Sequence, residues 1–423
     1  MDKRDANIKK EMQSFAKNVV GPTMCLYVDW VVTEASRRGL KRLYFLARDG
    51  YLLCEIAKKI VTKRKLDIEC RYLYCSRQAL RTPSYHIIGE EAYDLLTLRG
   101  YYLTPKSVIS RAMLDDRTVA QIMAELGVVN PDTPFIENEF DSFREKLISS
   151  KTYRDAVSRV SLLAYKDTID YFRQEGLFDS DSVAIVDSGW TGSMQRSLRQ
   201  LIENEGYCGK ICGFYFGMYA KSKSEEDGEY LTYYFNSDVG FWRKLFFNNN
   251  LFECMLSAPH PMTTGYRNVD GIVKPVFAEG HSPTLLPLIE QQIETSLDYA
   301  EQYAASINCE FSLKKAIRKS YKILKRAMVY PTTREVELLS NFQFCDDVTE
   351  GYRKSLADSK MKEKLASYAF FPRLFRKLRG KKNYGTNEIF WVYGVIAYLP
   401  KILRPWYRVN VMLWEIARII LKK

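Results

Sequence analysis

Two short polar segments follow apolar runs in the way that active-site turns follow buried strands. The first, residues 48–50 (Arg-Asp-Gly), comes directly after an apolar run at residues 42–47. The second, residues 187–193 (Asp-Ser-Gly-Trp-Thr-Gly-Ser), follows the apolar run 182–186 and precedes a helix-forming stretch. Ligands of open α/β folds bind where parallel strands end. Both segments are therefore candidates for one active site.

The second segment has the composition of a phosphate site. Gly189 and Gly192 would let main-chain amides approach a ligand closely, and Thr191 and Ser193 offer hydroxyls. The following helix would add unpaired N–H groups and a partial positive charge. We therefore predict that these four residues bind a phosphate. An ordinary strand-to-helix turn is the alternative, because the same residue types cap helices. A kinase-type phosphate loop is excluded, since there is no Gly-Lys-Ser/Thr ending.

The first segment supplies positive charge. Arg48 can bind a diphosphate through paired hydrogen bonds, and Arg77, which follows a second apolar run together with Ser76, can reach the same place. We predict a diphosphate site at Arg48, Gly50, Ser76 and Arg77. In the alternative, Asp49 caps the next helix, pairs with Arg48 and has no chemical role.

A mostly parallel sheet is needed to bring the two segments together. With helices between them, strands are predicted at residues 42–47, 71–75, 182–186, 211–220 and 230–235. No strand pattern is present in residues 91–176, so two sequence-distant parts of the chain would share one sheet. The predicted fold class is α/β, with a Rossmann-like, mostly parallel sheet flanked by helices, a helical insertion and a helical C-terminal region.

The same patterns divide the chain into five regions. These are the first part of the α/β core at 1–90, a helical insertion or cap at 91–176, the second part of the core at 177–280, a helical region at 281–370 and a basic amphipathic tail at 371–423. Further predicted elements are a helix at 22–38, a helix at 243–257, a hairpin at 266–277 turning at 268–271, and two helices within 285–329 separated at 308–311.

Composition limits the classes of protein that the chain can be. A length of 423 residues with 46% hydrophobic content supplies a substantial core. Nine cysteines, three histidines and no Cys-x-x-Cys pair are typical of reduced, buried thiols and disfavour a structural zinc site. Residues 1–10 are charged and show no signal-peptide pattern, so we predict a cytoplasmic protein.

Most of the positive charge lies at one end of the chain. The net charge is +12, and residues 371–423 hold twelve Lys or Arg and two Glu, a net of +10. The remainder is therefore nearly neutral, at +2, which argues against a nucleic-acid groove on the folded body.

The end of this tail would form an amphipathic helix. At about 100° per residue, one arc holds Arg404, Arg408, Glu415, Arg418 and Lys422, and the opposite side holds Trp406, Val409, Leu413, Trp414, Ile416 and Ile420. With the basic cluster at 373–382, this pattern is typical of a helix at an anionic membrane surface. We predict a peripheral position on the inner face of the cell membrane. The alternative is a helix that packs against the domain or against a second copy.

Five motifs in fixed order carry a resemblance to one family. They are Gly21-Pro22, residues 43–52 with Arg-Asp-Gly, residues 74–80 (Tyr-Cys-Ser-Arg-Gln-Ala-Leu), residues 186–195 around Thr191-Gly192, and residues 251–260 with 264–266. Together they resemble the C-terminal glycan phosphoribosyltransferase domain of the dual-domain bacterial ribofuranosyltransferases, proteins labelled haloacid-dehalogenase-like and encoded with polysaccharide assembly genes. The resemblance covers about residues 18–277.

The resemblance implies transfer of ribose 5-phosphate from phosphoribosyl diphosphate to a hydroxyl of a surface glycan, which a lipid would carry. Asp187 would hold the ribose or face the developing cation, and Asp49 or Glu253 would take the acceptor proton. His260, Thr264 and Tyr266 would lie at the acceptor or in a loop beside it. Arginines and, as an open alternative, Mg²⁺ would offset the charge of the leaving group. No N-terminal Asp-x-Asp-x-Thr motif is present, so either a separate phosphatase removes the 5-phosphate or the acceptor keeps it.

Two functions of other classes are alternatives to this one. A phosphatase of haloacid-dehalogenase type would use Asp187 as nucleophile, but such enzymes need a second acid two positions on, where Gly189 stands. A non-catalytic subunit would dock a polysaccharide assembly complex at the membrane through the basic tail.

Overall fold

The strands form one central sheet and two small ones. The computed structural model describes residues 3–100, 103–136, 139–220, 228–280, 282, 284–306, 311–344, 354–378 and 389–420, except the side chains of 3–6, 343–344 and 376–378. The strands are β1 Arg42–Leu46, β2 Glu69–Leu73, β3 Ser182–Trp190, β4 Lys210–Met218, β5 Glu229–Phe235, β6 Thr263–Val269, β7 Ile272–Phe277, β8 Gln343–Phe344 and β9 Lys354–Ser355.

Helices make up most of the remaining described structure. They are α1 Lys3–Phe15, α2 Gly21–Arg37, α3 Gly50–Arg64, α4 Arg77–Arg81, α5 Tyr85–Ile88, α6 Glu91–Leu96, α7 Pro105–Ser110, α8 Asp116–Glu125, α9 Glu139–Ser149, α10 Lys151–Gln174, α11 Ser193–Asn204, α12 Phe241–Leu245, α13 Asn249–Cys254, α14 Leu286–Ser306, α15 Leu313–Val329, α16 Thr333–Leu339, α17 Phe370–Leu378, α18 Val392–Ile396 and α19 Arg404–Ile420. A π-helical turn, Ala16–Val20, joins α1 to α2.

The central sheet has five parallel strands in the order β2-β1-β3-β4-β5. Strand order therefore reverses between β1 and β3, which pair directly through Tyr44 with Ile185 and Phe45 with Val186. The helices that follow these two strands, α3 and α11, lie on opposite faces of the sheet. In open α/β sheets such a divergence opens a crevice at the carboxyl ends of the strands. Such reversal points are where open α/β sheets bind ligands.

Alternate side chains of each strand enter two different cores, as a sheet covered on both faces requires. Phe45 and Val186 pack in a large core with helices that include α2, α3, α14 and α15. Tyr44 and Ile185 pack in a second core with α10 and α11. The α/β prediction is confirmed, and so is the prediction that two sequence-distant parts of the chain share one sheet.

Within the helical insertion, α6 to α9 and the start of α10 form a third core of their own, which includes Tyr93, Phe140 and Tyr153. No strand occurs among the described residues of 91–176, as predicted. The β6–β7 hairpin and the two helices α14 and α15 are also confirmed. Residues 307–310, at the predicted break between these helices, lie outside the described part of the chain.

Two predicted strand boundaries are wrong. Strand β2 begins and ends two residues earlier than 71–75, because Glu69 pairs with Arg42 at the polar end of the sheet. Strand β3 runs on from Val186 to Trp190, so most of the predicted loop 187–193 is strand. Gly189 pairs with Gly217 of β4, and glycine on both strands permits this close approach.

The predicted single helix at 243–257 is also wrong, since α12 and α13 are separate short helices. Asn248 divides them. Its Oδ1 accepts a hydrogen bond from the Leu251 amide at 2.8 Å and so caps the start of α13. Asparagine side chains compete with helical main-chain bonds in this way, and apolar periodicity alone does not reveal it.

Candidate active site

The carboxyl ends of β1 and β3 bring the two polar segments of the sequence together. Arg48 and Asp49 leave β1, with a cis peptide bond between Ala47 and Arg48. Asp187 and Ser188 lie on the neighbouring strand β3, just beyond its pairing with β1. Two acidic side chains from sequence-distant segments therefore meet at the reversal point of the sheet.

Asp49 occupies the position before the first turn of α3 but does not cap that helix. Its Oδ2 instead accepts a hydrogen bond from the Ser188 hydroxyl across the gap between β1 and β3. Burial raises the pKa of Asp49, while the Ser188 hydroxyl and the charges of Arg48 and Arg77 oppose that rise. The capping alternative therefore does not describe this carboxylate, whose bonds point into the crevice.

The main-chain carbonyl of Asp187 contacts a tyrosine hydroxyl, and the pKa of its side chain is raised. The Tyr27 hydroxyl of α2 lies 2.8 Å from the Asp187 carbonyl oxygen and 2.9 Å from that of Phe214, which ties β3 and β4 to the helix beneath them. Burial and then the nearby charge of Asp49 raise the pKa of Asp187 to about 8. Two carboxylates close together in a poorly hydrated crevice do not both ionise easily.

Glu253 of α13 is the third acid of this group. Its Oε1 accepts a hydrogen bond from the Trp190 indole Nε1 at 2.8 Å, so the last residue of β3 fixes its position. Burial and then the charge of Asp49 raise the pKa of Glu253 to about 7, while Trp190 and the two arginines oppose the rise. The structure thus brings together all three predicted catalytic acids, Asp49, Asp187 and Glu253.

The two predicted diphosphate-binding arginines act on this cluster from β1 and α4. Both Arg48 and Arg77 lower the pKa of Asp49 and of Glu253, so both guanidinium groups lie near the acids. Arg77 is the first residue of α4 and its side chain is exposed. Ser76 before it has a structural task, because its hydroxyl accepts from the Ala79 amide at 2.9 Å and donates to the Thr263 carbonyl at 2.6 Å.

The turn that was predicted to bind a phosphate, residues 187–193, is shorter in the structure. Gly189 and Trp190 are part of β3, and the turn before α11 is reduced to Thr191 and Gly192. Thr191 is exposed, and Gly192 has φ +69° where a Cβ atom would lie 2.3 Å from the Tyr230 ring. The helix start at Ser193 still presents main-chain N–H groups beside Thr191. A phosphate could therefore be held by Thr191, Ser193 and these amides.

Gly189 sets the shape of the strand end. Its φ is +114°, and a Cβ atom there would lie 2.2 Å from the Gly217 carbonyl oxygen. We expect Gly189→Ala to cost more than about 3 kcal/mol in the free energy of unfolding, because a steric clash with main chain adds to the backbone strain. Gly127→Ala is the matched control: φ is +66° with no atom within 4 Å, so strain alone, about 1 kcal/mol, should appear. Urea unfolding measures both, and equal losses would contradict the expected clash.

The three predicted acceptor or loop residues lie on and before the β6–β7 hairpin. His260 has hydrogen bonds at both ring nitrogens, to the Pro261 carbonyl and the Tyr72 hydroxyl, each at 2.7 Å. The Thr264 hydroxyl donates to the Val276 carbonyl at 3.2 Å. The Tyr266 hydroxyl donates to the Tyr74 carbonyl at 2.7 Å. These bonds fasten the hairpin internally and to the end of β2, and none joins the carboxylate cluster.

Four further residues of the site were not found by sequence reasoning. Ser188 bonds Asp49, Trp190 bonds Glu253, and Arg81 lies near both Arg77 and Arg196. The spacing of Arg77 and Arg81 by four residues placed both on one helical face and was a signal that could have been used. The role of Trp190 had no such signal, because its partner lies 63 residues away.

The acids do not form a metal cage by themselves. Among the residues that the structure describes, no group of three His, Cys, Asp or Glu has an arrangement that could hold a metal ion. The described residues therefore do not supply a complete Mg²⁺ site by themselves.

No protein-family model matches this chain. No curated protein is significantly similar to it either. The resemblance to glycan phosphoribosyltransferases therefore stays a prediction from the sequence motifs, and the site must be judged on its own geometry.

A separate open groove, with a volume of about 690 Å³, lies between α12 and α15. Trp242, Leu313, Ile317 and Tyr321 give it an apolar lining with cationic side chains at its rim. None of its lining residues belongs to the carboxylate cluster, so the groove is not the candidate active site.

Proposed function

We propose that this chain is a glycan phosphoribosyltransferase that transfers ribose 5-phosphate from phosphoribosyl diphosphate to a glycan hydroxyl and releases diphosphate. The observation that carries the proposal is the meeting of three acids and two arginines at the reversal point of a parallel sheet, beside a helix N-terminus. A donor with a phosphate at each end suits this arrangement. Thr191 and Ser193 face one end, and Arg48 and Arg77 face the other.

The proposed reaction breaks the bond between ribose C1 and the diphosphate oxygen. The bonding electrons leave with diphosphate, whose added negative charge the guanidinium groups of Arg48 and Arg77 stabilise. The ribose ring becomes positive as the bond lengthens, and Asp187 favours that charge when it is ionised, which happens as the pH rises through its pKa of about 8. The acceptor oxygen then bonds to C1 and gives its proton to a carboxylate.

Glu253 is the best placed of the acids to take that proton. Its pKa of about 7 lies near the working pH, where a general base is most effective. Asp49 already accepts a hydrogen bond from Ser188, which favours a positioning role for its carboxylate. The Trp190 indole holds Glu253 in place without neutralising it, because it donates only one hydrogen bond.

Mg²⁺ commonly binds through one or two carboxylates together with substrate phosphates. The donor's own diphosphate would have to supply the ligands that the described protein residues lack. A magnesium requirement is therefore proposed as a property of the donor rather than of a preformed protein site.

A phosphatase of haloacid-dehalogenase type has less support. Gly189, two positions after Asp187, has no space for an acidic side chain, since even a Cβ atom would lie 2.2 Å from the Gly217 carbonyl oxygen. The second acid that such an enzyme needs is therefore missing on steric grounds as well as in sequence.

The C-terminal helices support a position at the membrane surface for this enzyme. Four residues of the predicted apolar stripe of α19 point outward: Trp406 is 57% exposed, and Val409, Leu413 and Ile420 are also exposed, whereas Trp414 and Ile416 are partly buried. On α17, which packs on α19, Phe371 is 64% exposed and Phe375 is 58% exposed. Outward apolar stripes of this size mark interaction surfaces. We call the six exposed residues the outer apolar surface.

Two of the basic residues of α19, Arg404 and Arg408, face the protein, whereas Arg418 is exposed. Arg408 donates to the Val329 carbonyl at 3.2 Å and lies over the Tyr330 ring, and Arg404 donates to the Leu399 carbonyl at 2.9 Å. Another side of α19 packs on the domain, since Val411 is buried and Met412 and Ile416 lie against the large core. The packing alternative therefore holds for that side of the helix. Residues 379–388 and 421–423, with much of the predicted basic cluster, lie outside the described part of the chain. No described helix is long and apolar enough to span a bilayer.

Liposome flotation tests this surface. The triple substitution Phe375→Ser, Trp406→Ser and Leu413→Ser should reduce flotation with anionic vesicles at least about tenfold, since three apolar side chains would no longer enter the interface. Leu162→Ser with Leu163→Ser is the matched control, because these leucines are exposed on α10 (57% and 73%) but lie off the outer apolar surface. Equal flotation of all three proteins would exclude the membrane role and leave contact between copies as the use of the surface.

Release of diphosphate tests the function itself. The purified protein is incubated with phosphoribosyl diphosphate and a lipid-linked glycan fraction, and diphosphate is measured with time. We expect release that depends on the acceptor. Absence of release, or equal transfer from nucleotide sugars with release of the nucleotide, would reject the proposed donor.

A further inference from the structure

The groove between α12 and α15 leaves large apolar side chains open to solvent. Trp242 of α12 is 58% exposed and Leu313 of α15 is 39% exposed, and Ile317 and Tyr321 complete the apolar lining. Its volume of about 690 Å³ falls in the range of small-molecule sites, roughly 300–1,000 Å³. Large apolar side chains that stay exposed side by side mark interaction surfaces. The groove therefore suits a ligand with an apolar part.

Three cationic side chains line the same groove. They are Arg243 of α12 and, one turn apart on α15, Lys314 and Arg318. Among the described residues, no carboxylate forms an ion pair with any of the three. The Arg243 guanidinium instead lies over the Tyr234 ring, 5.7 Å from its centre, and both cations of α15 are exposed. A ligand in this groove therefore meets apolar surface and positive charge together.

The whole of α15 is basic. Residues 313–329 hold seven Lys or Arg and no Asp or Glu. Among the described residues, only Arg326 of this helix has an acidic partner, Glu335, at 2.6 Å. The nearly neutral net charge of the body conceals this local excess, because acids elsewhere in the sequence compensate for it. The excess favours an anionic ligand over a neutral or cationic one.

Helix α12 connects the groove with two other features of the proposed enzyme. It packs against α19, which carries four residues of the outer apolar surface. Phe247, two residues after α12, packs against Trp190 with 5.3 Å between ring centres, and Trp190 donates to Glu253. One short helix therefore links the groove to the proposed membrane surface and to the proposed general base.

We propose that this groove binds the lipid that carries the glycan acceptor. The hydrocarbon chain lies on Trp242, Leu313 and Ile317, and a phosphate group of the lipid binds the cationic rim, since arginine and lysine are common phosphate ligands. The inference rests on the proposed function for the nature of the acceptor. Its chemical content, a long-chain phosphate bound by an apolar groove with a cationic rim, can be measured without turnover.

An acidic, apolar segment of a partner protein is the other ligand that this chemistry admits. A protein interface usually uses about 20–30 residues on each side, whereas seven residues line the groove. The small size of the groove and its link to the outer apolar surface favour the lipid.

Calorimetric titration with dodecyl phosphate, below its micelle concentration, tests the groove. The wild type should bind it at least about tenfold more tightly than dodecyl maltoside, which has no charge, or inorganic phosphate, which has no chain. Lys314→Glu with Arg318→Glu should weaken binding of dodecyl phosphate at least about tenfold, since the phosphate is then repelled. Trp242→Ser with Leu313→Ser should weaken it at least about tenfold as well, since the chain loses apolar contact.

Lys315→Glu with Lys319→Glu is the matched control. These exposed lysines lie on α15 with the same spacing but do not line the groove, so their replacement should leave the affinity for dodecyl phosphate within about twofold. The lipid site is rejected if the two charge-reversed variants weaken binding equally, or if Trp242→Ser with Leu313→Ser binds normally. It is also rejected if the wild type does not bind, and a partner segment is then the remaining ligand.

Kinetics and flotation distinguish the acceptor lipid from the bulk lipid of the membrane. Lys314→Glu with Arg318→Glu should raise the KM for the lipid-linked acceptor at least about tenfold and should float with anionic vesicles like its matched control. If flotation falls below that of the control while the KM is unchanged, the groove binds membrane lipid in general and the proposal is wrong.

The two proposals can fail separately. If dodecyl phosphate binding depends on the groove but no diphosphate is released from the full donor, the lipid site stands and the transfer reaction is wrong. If diphosphate is released with a normal acceptor KM in the Lys314→Glu, Arg318→Glu variant, the reaction stands and the lipid site is wrong.

Discussion

The Asp187→Asn variant should release diphosphate from phosphoribosyl diphosphate at least about 10³-fold more slowly than the wild type. In the proposed reaction Asp187 faces the positive charge that develops on the ribose, and the neutral amide cannot stabilise that charge. The loss should appear mainly in kcat, because the interaction strengthens only as the bond breaks. Initial rates of diphosphate release, at saturating donor, measure it.

Thermal unfolding as a function of pH shows whether Asp187→Asn is otherwise intact. The folded-state pKa of Asp187 is raised to about 8 from an ordinary value of 3.8, so its contribution to stability is present at low pH and lost as pH rises through about 8. The asparagine variant does not titrate. Its melting temperature should therefore improve relative to the wild type between pH 5 and pH 8 by more than about 2 °C. A variant that is both inactive and less stable throughout this range would show misfolding, not loss of chemistry, and would contradict the assigned role.

Replacement of Glu253 should remove the general base that takes the proton of the acceptor hydroxyl. In the wild type, kcat/KM should rise with pH through about 7, as Glu253 loses its proton, and further through about 8, as Asp187 loses its proton. Glu253→Gln should lower the rate about 10²-fold to 10⁴-fold and abolish the rise near pH 7. If the rise near pH 7 persists in Glu253→Gln, the base is another group, and Asp49 is the remaining candidate.

The Trp190→Phe variant tests, in the same pH profile of kcat/KM, whether the indole positions Glu253. The indole N–H stabilises the ionised form of Glu253 and so opposes the rise of its pKa. Without it the rise in kcat/KM should move to higher pH while the maximal rate falls modestly. An unchanged profile would mean that Trp190 only packs against Phe247 and Phe252.

Much of the sheet follows from local pattern in the sequence. Apolar runs such as residues 42–47 and 211–220 can hardly lie elsewhere than in a sheet covered on both faces, and the sheet places their polar ends along one edge. Asp49, Asp187 and Glu253 were predicted as a set because each follows or lies in a motif, and the structure brings them together. What these acids do remains a proposal.

Other parts of the site depend on contacts that local pattern does not contain. Gly189 lies in a segment with the composition of a turn. It is nevertheless part of a strand and pairs with Gly217, because both strands lack a side chain at that point. Asn248 starts a new helix where apolar periodicity predicted one continuous helix over residues 243–257. The orientation of α19 depends on the hydrogen bond from Arg408 to the Val329 carbonyl at the end of α15. The periodicity of the sequence cannot show such a contact.

Calorimetric titration with phosphoribosyl diphosphate tests the central claim most directly, because it asks whether one crevice holds both phosphate ends of the donor. We predict that the intact donor binds at least about tenfold more tightly than either ribose 5-phosphate or diphosphate alone, and that ribose 5-phosphate and diphosphate bind together without competing. If diphosphate displaces ribose 5-phosphate, or if a nucleotide sugar binds where phosphoribosyl diphosphate does not, the two-ended donor site does not exist.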